Sequence, residues 1–140
     1  MAQVSRPTVL IVDDDACLRD ALGELLLDAG YAVRMAADGR EGLSLLRAAT
    51  ERLVALVDVV MPNMDGIELL NQLAGDRTLA VRHAYALMSA QPRLLCAALT
   101  DLLLTLSVPV VIKPFDTDIL LMTVAELARR VAWPQPSAAQ

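Results

Sequence analysis

Two short aliphatic segments of this 140-residue chain end at aspartates. Asp13 and Asp14 directly follow the first segment, and Asp58 closes a second one well downstream. If both segments are strands of one parallel sheet, their carboxyl ends lie at the same edge and the three carboxylates meet there. Clustered carboxylates repel one another, and their commonest use is to bind a hard divalent cation. We therefore expect a cation site at this edge, where one acid also takes part in chemistry.

Two further polar residues stand at the ends of apolar segments. Ser89 closes the segment 84–89, and Lys113 follows the segment 109–112. A hydroxyl and an ammonium beside three carboxylates suit phosphoryl transfer, because Mg²⁺ and lysine neutralise the phosphoryl oxygens and the hydroxyl donates to one of them. Asp58 can serve as the nucleophile, since carboxylates form acyl phosphates.

The elements that must position these residues alternate strictly along the chain. Apolar β-branched runs predict five strands, and apolar residues at helical spacing predict five helices. The alternation indicates an α/β fold with a doubly wound, five-stranded parallel sheet. The predicted strands are 8–12, 31–35, 53–58, 84–89 and 109–112, and the predicted helices are 16–29, 38–48, 65–74, 92–106 and 116–131.

Four other aspartates have a structural explanation. Each directly precedes or opens a predicted helix, where an aspartate side chain accepts hydrogen bonds from free backbone N–H groups. We therefore interpret Asp15, Asp38, Asp65 and Asp116 as N-caps, and exclude them from the predicted metal site.

The order of these segments resembles the receiver domain of two-component response regulators. The matching residues are 9–15, which end in Asp13-Asp14-Asp15, then 58–66, 88–90 and Lys113-Pro114-Phe115. The resemblance implies a flavodoxin-like sheet of order 2-1-3-4-5 and a cis Lys113–Pro114 bond. It also implies these roles: Asp58 as phosphoacceptor, Lys113 and Ser89 as phosphoryl contacts, and Asp13, Asp14, Asp58 and the backbone carbonyl of Val60 as ligands of Mg²⁺.

The implied function is a signalling module. It would accept a phosphoryl group on Asp58 from a sensor histidine kinase or a histidine phosphotransfer protein, and catalyse only its own Mg²⁺-dependent phosphorylation and slow dephosphorylation. An unidentified downstream protein would then bind at the face of the fourth strand, fourth helix, fifth strand and fifth helix (β4-α4-β5-α5). Alternatives are a receiver fragment of a longer DNA-binding regulator and a degenerate receiver that serves as a scaffold. A dehalogenase-type phosphohydrolase is disfavoured, because it needs a second acid where this chain has Val60.

The sequence departs from the family in two places. Receivers often carry an aromatic residue three positions before the lysine, and this position is Val110. The fourth predicted helix is apolar on most of its circumference, although a helix on a sheet buries only about half. We therefore expect its leucines, Leu104 among them, to contact a partner or to form a homodimer.

Composition limits the remaining possibilities. A formal charge of −5 and a pI near 4.7 argue against direct nucleic-acid binding. Pro109 interrupts the one long apolar window, and no signal segment opens the chain, so we expect a cytoplasmic protein without a membrane span, in which Cys17 and Cys96 are reduced and partly buried thiols. His83 is expected at the solvent or at a sheet edge. The predicted domains are an N-terminal extension (1–7), the receiver domain (8–131) and a flexible C-terminal tail (132–140).

Overall fold

The computed structural model describes residues 6–90 and 97–132, in which helices follow the strands and two helices stand in succession between the third and fourth strands. Within these residues there are five strands and six helices. The strands are β1 (Thr8–Val12), β2 (Ala32–Ala36), β3 (Leu53–Asp58), β4 (Ala84–Ser89) and β5 (Val110–Ile112). The helices are α1 (Ala16–Asp28), α2 (Gly39–Ala48), α3 (Gly66–Ala74), α4 (Arg77–Arg82), α5 (Ala97–Leu106) and α6 (Thr117–Ala132).

All five strands pair in parallel, in the order β2-β1-β3-β4-β5. This confirms the predicted doubly wound, flavodoxin-like sheet. Every residue of β3 and β4 is buried, as expected for central strands that helices cover on both faces. The sheet thus places the carboxyl ends of its strands at one edge of the molecule.

Alternate residues of the strands pack into two separate apolar cores, one on each face of the sheet. Leu10 and Ala55 belong to the core beneath α2, α3, α4 and α5. Ile11 and Leu56 belong to the core beneath α1 and α6. Because successive side chains of a strand point to opposite faces, each central strand contributes to both cores and is fixed on both sides.

The predicted N-caps are confirmed. Asp15 accepts hydrogen bonds from two backbone N–H groups at the start of α1, and Asp116 does the same before α6. Asp38 accepts from the Glu41 N–H. Asp65 forms a full capping box at α3. These local contacts begin each helix just after a strand end and so set the length of the loops at the site.

The prediction of five helices missed one. The short helix α4 lies between α3 and β4, and the Asp76 side chain accepts from the Leu79 N–H at 3.2 Å to begin it. Leu79 is its only buried residue. A single buried side chain in six residues gives no helical period, and this explains why the sequence pattern did not indicate the helix.

The expected solvent exposure of His83 is wrong, because this residue is buried between β3 and α2. Its Nδ1 accepts from the Leu53 N–H at 2.9 Å, and its Nε2 lies 3.0 Å from the Leu46 carbonyl oxygen. A carbonyl can only accept, so Nε2 carries the proton and the imidazole is neutral. Burial lowers the pKa of His83.

Smaller differences concern the ends of elements. The second strand is Ala32–Ala36 and the fifth is Val110–Ile112, each shifted or shortened by one residue from the prediction. Cys17 is exposed rather than partly buried as predicted. Cys96, the first residues of the predicted fourth helix (92–96) and most of the predicted extension and tail lie outside the described residues. No described helix is long and apolar enough to span a bilayer.

Candidate functional site

The register of the sheet places the first two strand ends side by side. Val12 pairs with Val57 in the parallel ladder of β1 and β3. Asp13 and Asp58 each follow these paired residues and therefore stand next to each other. Asp13 is completely buried and Asp58 is 8% exposed. Burial of two neighbouring carboxylates is costly unless a positive charge compensates them.

The ends of β4 and β5 complete the same edge. Ser89 pairs with Ile112 and is buried, and the backbone N–H of Lys113 donates to the Ser89 carbonyl at 2.8 Å. The Lys113–Pro114 peptide bond is cis, as the resemblance predicted. Ser89 and Lys113 are thus joined through the backbone at the edge that carries the aspartates.

Lys113 is the positive charge that bridges the buried acids. Its Nζ lies 3.0 Å from Oδ2 of Asp13 and 3.1 Å from Oδ1 of Asp58. Asp14 is exposed, and one carboxylate oxygen from each of the three aspartates lies within 4.8 Å of the other two. Four of the predicted site residues therefore form one contact cluster, with Ser89 at its border.

The environment shifts the pKa values of two members of the cluster. Burial, followed by the negative charge of Asp13, raises the pKa of Asp58, although the hydrogen bond from Lys113 opposes this. Burial alone would lower the pKa of Lys113, but its hydrogen bonds to Asp13 and Asp58 outweigh burial and raise it. Lys113 therefore stays cationic at neutral pH.

The loop after β3 is shaped by a glycine. The Gly66 N–H donates to the Val59 carbonyl at 2.9 Å, and a Cβ at Gly66 would lie 2.3 Å from the Asp58 carbonyl oxygen. Only glycine therefore fits this close approach to the backbone of Asp58. The side chain of Val60 is exposed on the loop, directly beyond Asp58 and Val59. The role of its carbonyl as a metal ligand stays a prediction.

Sequence reasoning missed one residue that contacts the site. Arg19, in the first turn of α1, donates from Nη1 to the backbone carbonyl of Asp13 at 2.7 Å. The Asp15 N–H also binds Asp13, through Oδ1 at 2.9 Å. The available signal was a basic residue near a helix N-terminus, where the helix dipole disfavours positive charge.

The cluster fits a magnesium ion. Mg²⁺ prefers oxygen ligands and binds through one or two carboxylates plus waters. The three aspartates supply such oxygens close together, and they stay net negative even with Lys113 among them. Asp14, which faces solvent, leaves one side of the cluster open for an ion with its water shell and for a phosphoryl group.

Comparison with known proteins gives a consistent result. The family model described as the response regulator receiver domain matches residues 9–125. The response regulator MprA of Mycolicibacterium vanbaalenii is 47% identical over 66 residues, which are 46% of this chain and 28% of that protein. MprA of Mycobacterium tuberculosis is 46% identical over 68 residues, which are 48% of this chain and 29% of that protein. The matched segment spans less than a third of either relative.

Solved structures share the fold along most of the chain. The chemotaxis protein CheY4 of Vibrio cholerae superposes with a TM-score of 0.72 and 27% identity, over 87% of this chain and 98% of that one. The receiver domain of the Francisella response regulator 1452 gives a TM-score of 0.74 and 29% identity, over 89% and 98%. The chain therefore belongs to the response regulator receiver domains, the signalling modules of two-component systems, which typically bind Mg²⁺ and imply a kinase or phosphotransfer partner.

Proposed function

We propose that the protein accepts a phosphoryl group on Asp58 from the phosphohistidine of a sensor histidine kinase or a histidine phosphotransfer protein. The observation that supports this most directly is the Lys113 ammonium, 3.0 Å from Asp13 and 3.1 Å from Asp58, beside the exposed carboxylate of Asp14. This arrangement supplies a nucleophile, acidic ligands for Mg²⁺ and a cation for the transferred group. We place the receiver domain at residues 8–131 and the protein in the cytoplasm, with its partner kinase.

The transfer uses the chain's own residues in distinct roles. A carboxylate oxygen of Asp58 attacks the phosphorus, the P–N bond to the donor imidazole breaks, and its electron pair leaves with the imidazole nitrogen. Lys113 then pairs with a phosphoryl oxygen instead of the Asp58 carboxylate. The Ser89 hydroxyl donates a hydrogen bond to a second phosphoryl oxygen. Bound at Asp13, Asp14, Asp58 and the Val60 carbonyl, Mg²⁺ would neutralise the phosphoryl oxygens. Slow hydrolysis of the acyl phosphate returns the protein to its first state.

Incubation of the full chain with acetyl phosphate and Mg²⁺, followed by intact-mass measurement, tests the proposal. We expect one phosphoryl adduct on the wild type, and none on Asp58→Asn or in the presence of a chelator. Asp20→Asn removes an exposed acid of α1 outside the cluster and serves as the matched control, which should react like the wild type. No adduct on the wild type, or an adduct that survives Asp58→Asn, contradicts the proposal.

The signal would leave through an output face around the edge strand β5. We define this face by four exposed apolar side chains: Leu104 of α5, Ile112 of β5, and Ile119 and Met122 of α6. This is the surface that the sequence predicted for the fourth strand, fourth helix, fifth strand and fifth helix. The fourth and fifth predicted helices are α5 and α6 of the structure, because α4 was not predicted. An open groove next to it, lined in part by Pro109, Ile119 and Met122, adds apolar surface. Exposed apolar side chains on neighbouring elements are typical of protein interfaces.

A charge on the output face tests this assignment. Leu104 is 73% exposed, so Leu104→Glu leaves the core intact and should weaken self-association or partner binding of the phosphorylated protein. Leu27→Glu is the matched control, because Leu27 is 57% exposed on α1, in the opposite helical layer. Sedimentation with and without acetyl phosphate reports self-association. Equal behaviour of both variants and the wild type contradicts the role of this face.

A second candidate is that the chain is the receiver part of a longer DNA-binding regulator. The matched segment covers only 28% of the MprA relative from Mycolicibacterium vanbaalenii, and this length difference favours the idea. With a formal charge of −5, the receiver itself would not contact DNA directly, and binding would fall to another domain. The length of the complete gene distinguishes this candidate from a receiver that works alone.

A further inference from the structure

Arg19 occupies a position that the helix dipole disfavours. It lies in the first turn of α1, which contains no acidic residue, and the N-cap Asp15 just before the helix offsets only part of its charge. A cation near a helix N-terminus destabilises the helix, since the backbone N–H groups there carry partial positive charge. Arg19 is nevertheless held close to the chain, half-buried beside the acidic cluster. A specific contact must outweigh the unfavourable dipole.

That contact is made with the backbone that joins the two acidic residues. Nη1 of Arg19 donates to the Asp13 carbonyl at 2.7 Å, a short hydrogen bond with a charged donor. This carbonyl belongs to the peptide group between Asp13 and Asp14. The guanidinium therefore restricts rotation of the peptide plane from which the Asp14 side chain emerges.

Asp13 and Asp14 differ in how much else holds them. Asp13 donates its N–H to the Ala36 carbonyl at 3.1 Å, and its carboxylate accepts from the Asp15 N–H and from Lys113. Asp14 is exposed, and the described part of the structure shows no hydrogen bond to its carboxylate. The direction of the Asp14 carboxylate thus depends on its backbone, which Arg19 holds.

We infer that Arg19 is a positioning residue for cation binding: it fixes the Asp13–Asp14 peptide so that the Asp14 carboxylate faces the other two acids. This inference rests on the proposed function, because it assumes that the three aspartates bind Mg²⁺. Residues that hold metal ligands in place from behind commonly matter for affinity nearly as much as the ligands themselves.

If Arg19 orients a ligand, its removal changes the Mg²⁺ affinity in the opposite direction to the one expected from charge alone. A guanidinium close to a cation site repels the cation, so its removal would tighten Mg²⁺ binding if charge were its only contribution. If Arg19 instead orients a ligand, its removal weakens binding. The direction of the change in the dissociation constant therefore separates the two roles.

The test compares Mg²⁺ titrations of the wild-type chain, Arg19→Gln and Arg40→Gln by calorimetry at low salt. Arg40 is the matched control, since it lies in the first turn of α2 at the same edge of the sheet and no described hydrogen bond ties it to the loop of Asp13. We expect the dissociation constant of Arg19→Gln to rise about tenfold. Arg40→Gln should bind Mg²⁺ as the wild type does, or slightly more tightly.

A second measurement guards against a general loss of structure. In the metal-free protein, the NMR amide resonance of Asp14 should move in Arg19→Gln and stay in place in Arg40→Gln, while resonances of β3 and β4 are unchanged in both. Equal or tighter Mg²⁺ binding by Arg19→Gln, or an unmoved Asp14 resonance, overturns the inference alone. Absence of Mg²⁺ binding by the wild type overturns both the inference and the proposed metal site.

Discussion

At the scale of single residues, the buried carboxylates of the site lower the stability of the folded protein. Asp58 is almost fully buried beside another buried carboxylate, and the single positive charge of Lys113 offsets only part of their combined negative charge. Burial and the charge of Asp13 raise the pKa of Asp58. The folded protein therefore binds more protons than the unfolded chain just above the usual aspartate pKa, and stability falls as pH rises through that window. At neutral pH the ionised Asp58 carboxylate is a net cost to folding.

Asp58→Asn should consequently stabilise the metal-free protein. The neutral amide has nearly the same shape and removes one of two adjacent negative charges, so we expect the free energy of unfolding at pH 7 to rise by about 1 kcal/mol. Urea denaturation in the presence of a chelator measures it. Asp20→Asn, in an exposed part of α1, should change stability far less. A clear loss of stability in Asp58→Asn would show that the Lys113 contact outweighs burial and repulsion.

His83 gives the molecule a pH dependence of opposite sign. Its Nδ1 accepts from the Leu53 N–H, so a proton on Nδ1 breaks that bond and places two donors face to face. Burial lowers the pKa of His83 in the folded state below its ordinary value of 6.5. The unfolded chain then binds more protons, so this contribution is complete above pH 6.5 and is lost as pH falls toward the lowered value.

We expect the wild type to lose up to about 1.4 kcal/mol of unfolding free energy per pH unit below pH 6.5 through His83. His83→Gln should lack this component and be less stable at pH 7.5, because glutamine cannot span both partners of the imidazole. Urea denaturation at pH 7.5, 6.5 and 5.5 compares the two slopes, and the other titrating groups cancel in the difference. Parallel slopes would contradict a neutral, buried imidazole.

At the scale of elements, local signals were reliable and distant contacts were not. The N-caps at Asp15 and Asp65 follow from residues three or fewer positions away, and both are confirmed. The burial of His83 depends on Leu53 and Leu46, which are 30 and 37 residues away along the chain. A sequence pattern read within a window cannot contain such a partner.

The end of α5 shows how an element can stop without the usual residue. No glycine stands at this turn, and Ser107 adopts a positive φ of 55°. The Val108 N–H donates to the Leu103 carbonyl and the Ser107 N–H to the Leu104 carbonyl, as in a Schellman motif. A non-glycine residue in this conformation is strained by its Cβ.

Ser107→Gly should therefore stabilise the protein by about 1 kcal/mol, because glycine adopts the left-handed conformation without steric cost. The hydrogen bond from Arg130 to the backbone carbonyl of residue 107 would remain. The melting temperature, measured by thermal denaturation, should rise by about 3 °C. Ser107→Ala keeps a Cβ and is the control, for which no gain is expected. Equal melting temperatures for the glycine and alanine variants would show that the turn is not strained.

At the scale of the whole molecule, topology accounts for most of what the sequence could predict. Once five apolar runs are assigned to one parallel sheet, Asp13, Asp58, Ser89 and Lys113 must converge, and the structure brings them to one edge. The partner of Arg19 could not be predicted, although its place at a helix N-terminus was unusual, because that partner is a backbone carbonyl rather than a side chain. The sequence gives the chemical type of each side chain, whereas the orientation of a backbone peptide group depends on the folded structure.

The same convergence couples the site to global unfolding. The three aspartates come from the ends of β1 and β3, and they lie close together only in the folded chain. A cation that binds them in the folded state alone stabilises the protein by an amount that grows with the logarithm of its concentration. Mg²⁺ should thus act on stability even without phosphorylation.

We expect Mg²⁺ at one hundred times its dissociation constant to raise the free energy of unfolding of the wild type by about 2.7 kcal/mol. Asp14→Asn should abolish most of this gain, since Asp14 has no described structural hydrogen bond and its loss affects ligation first. Asp20→Asn, an exposed acid outside the cluster, should keep the full response. Urea denaturation with Mg²⁺ or a chelator, at constant ionic strength, measures the three proteins. An equal response of Asp14→Asn and the wild type would mean that the cation binds elsewhere, because the loss of a true metal ligand must reduce the stabilisation that the bound cation gives.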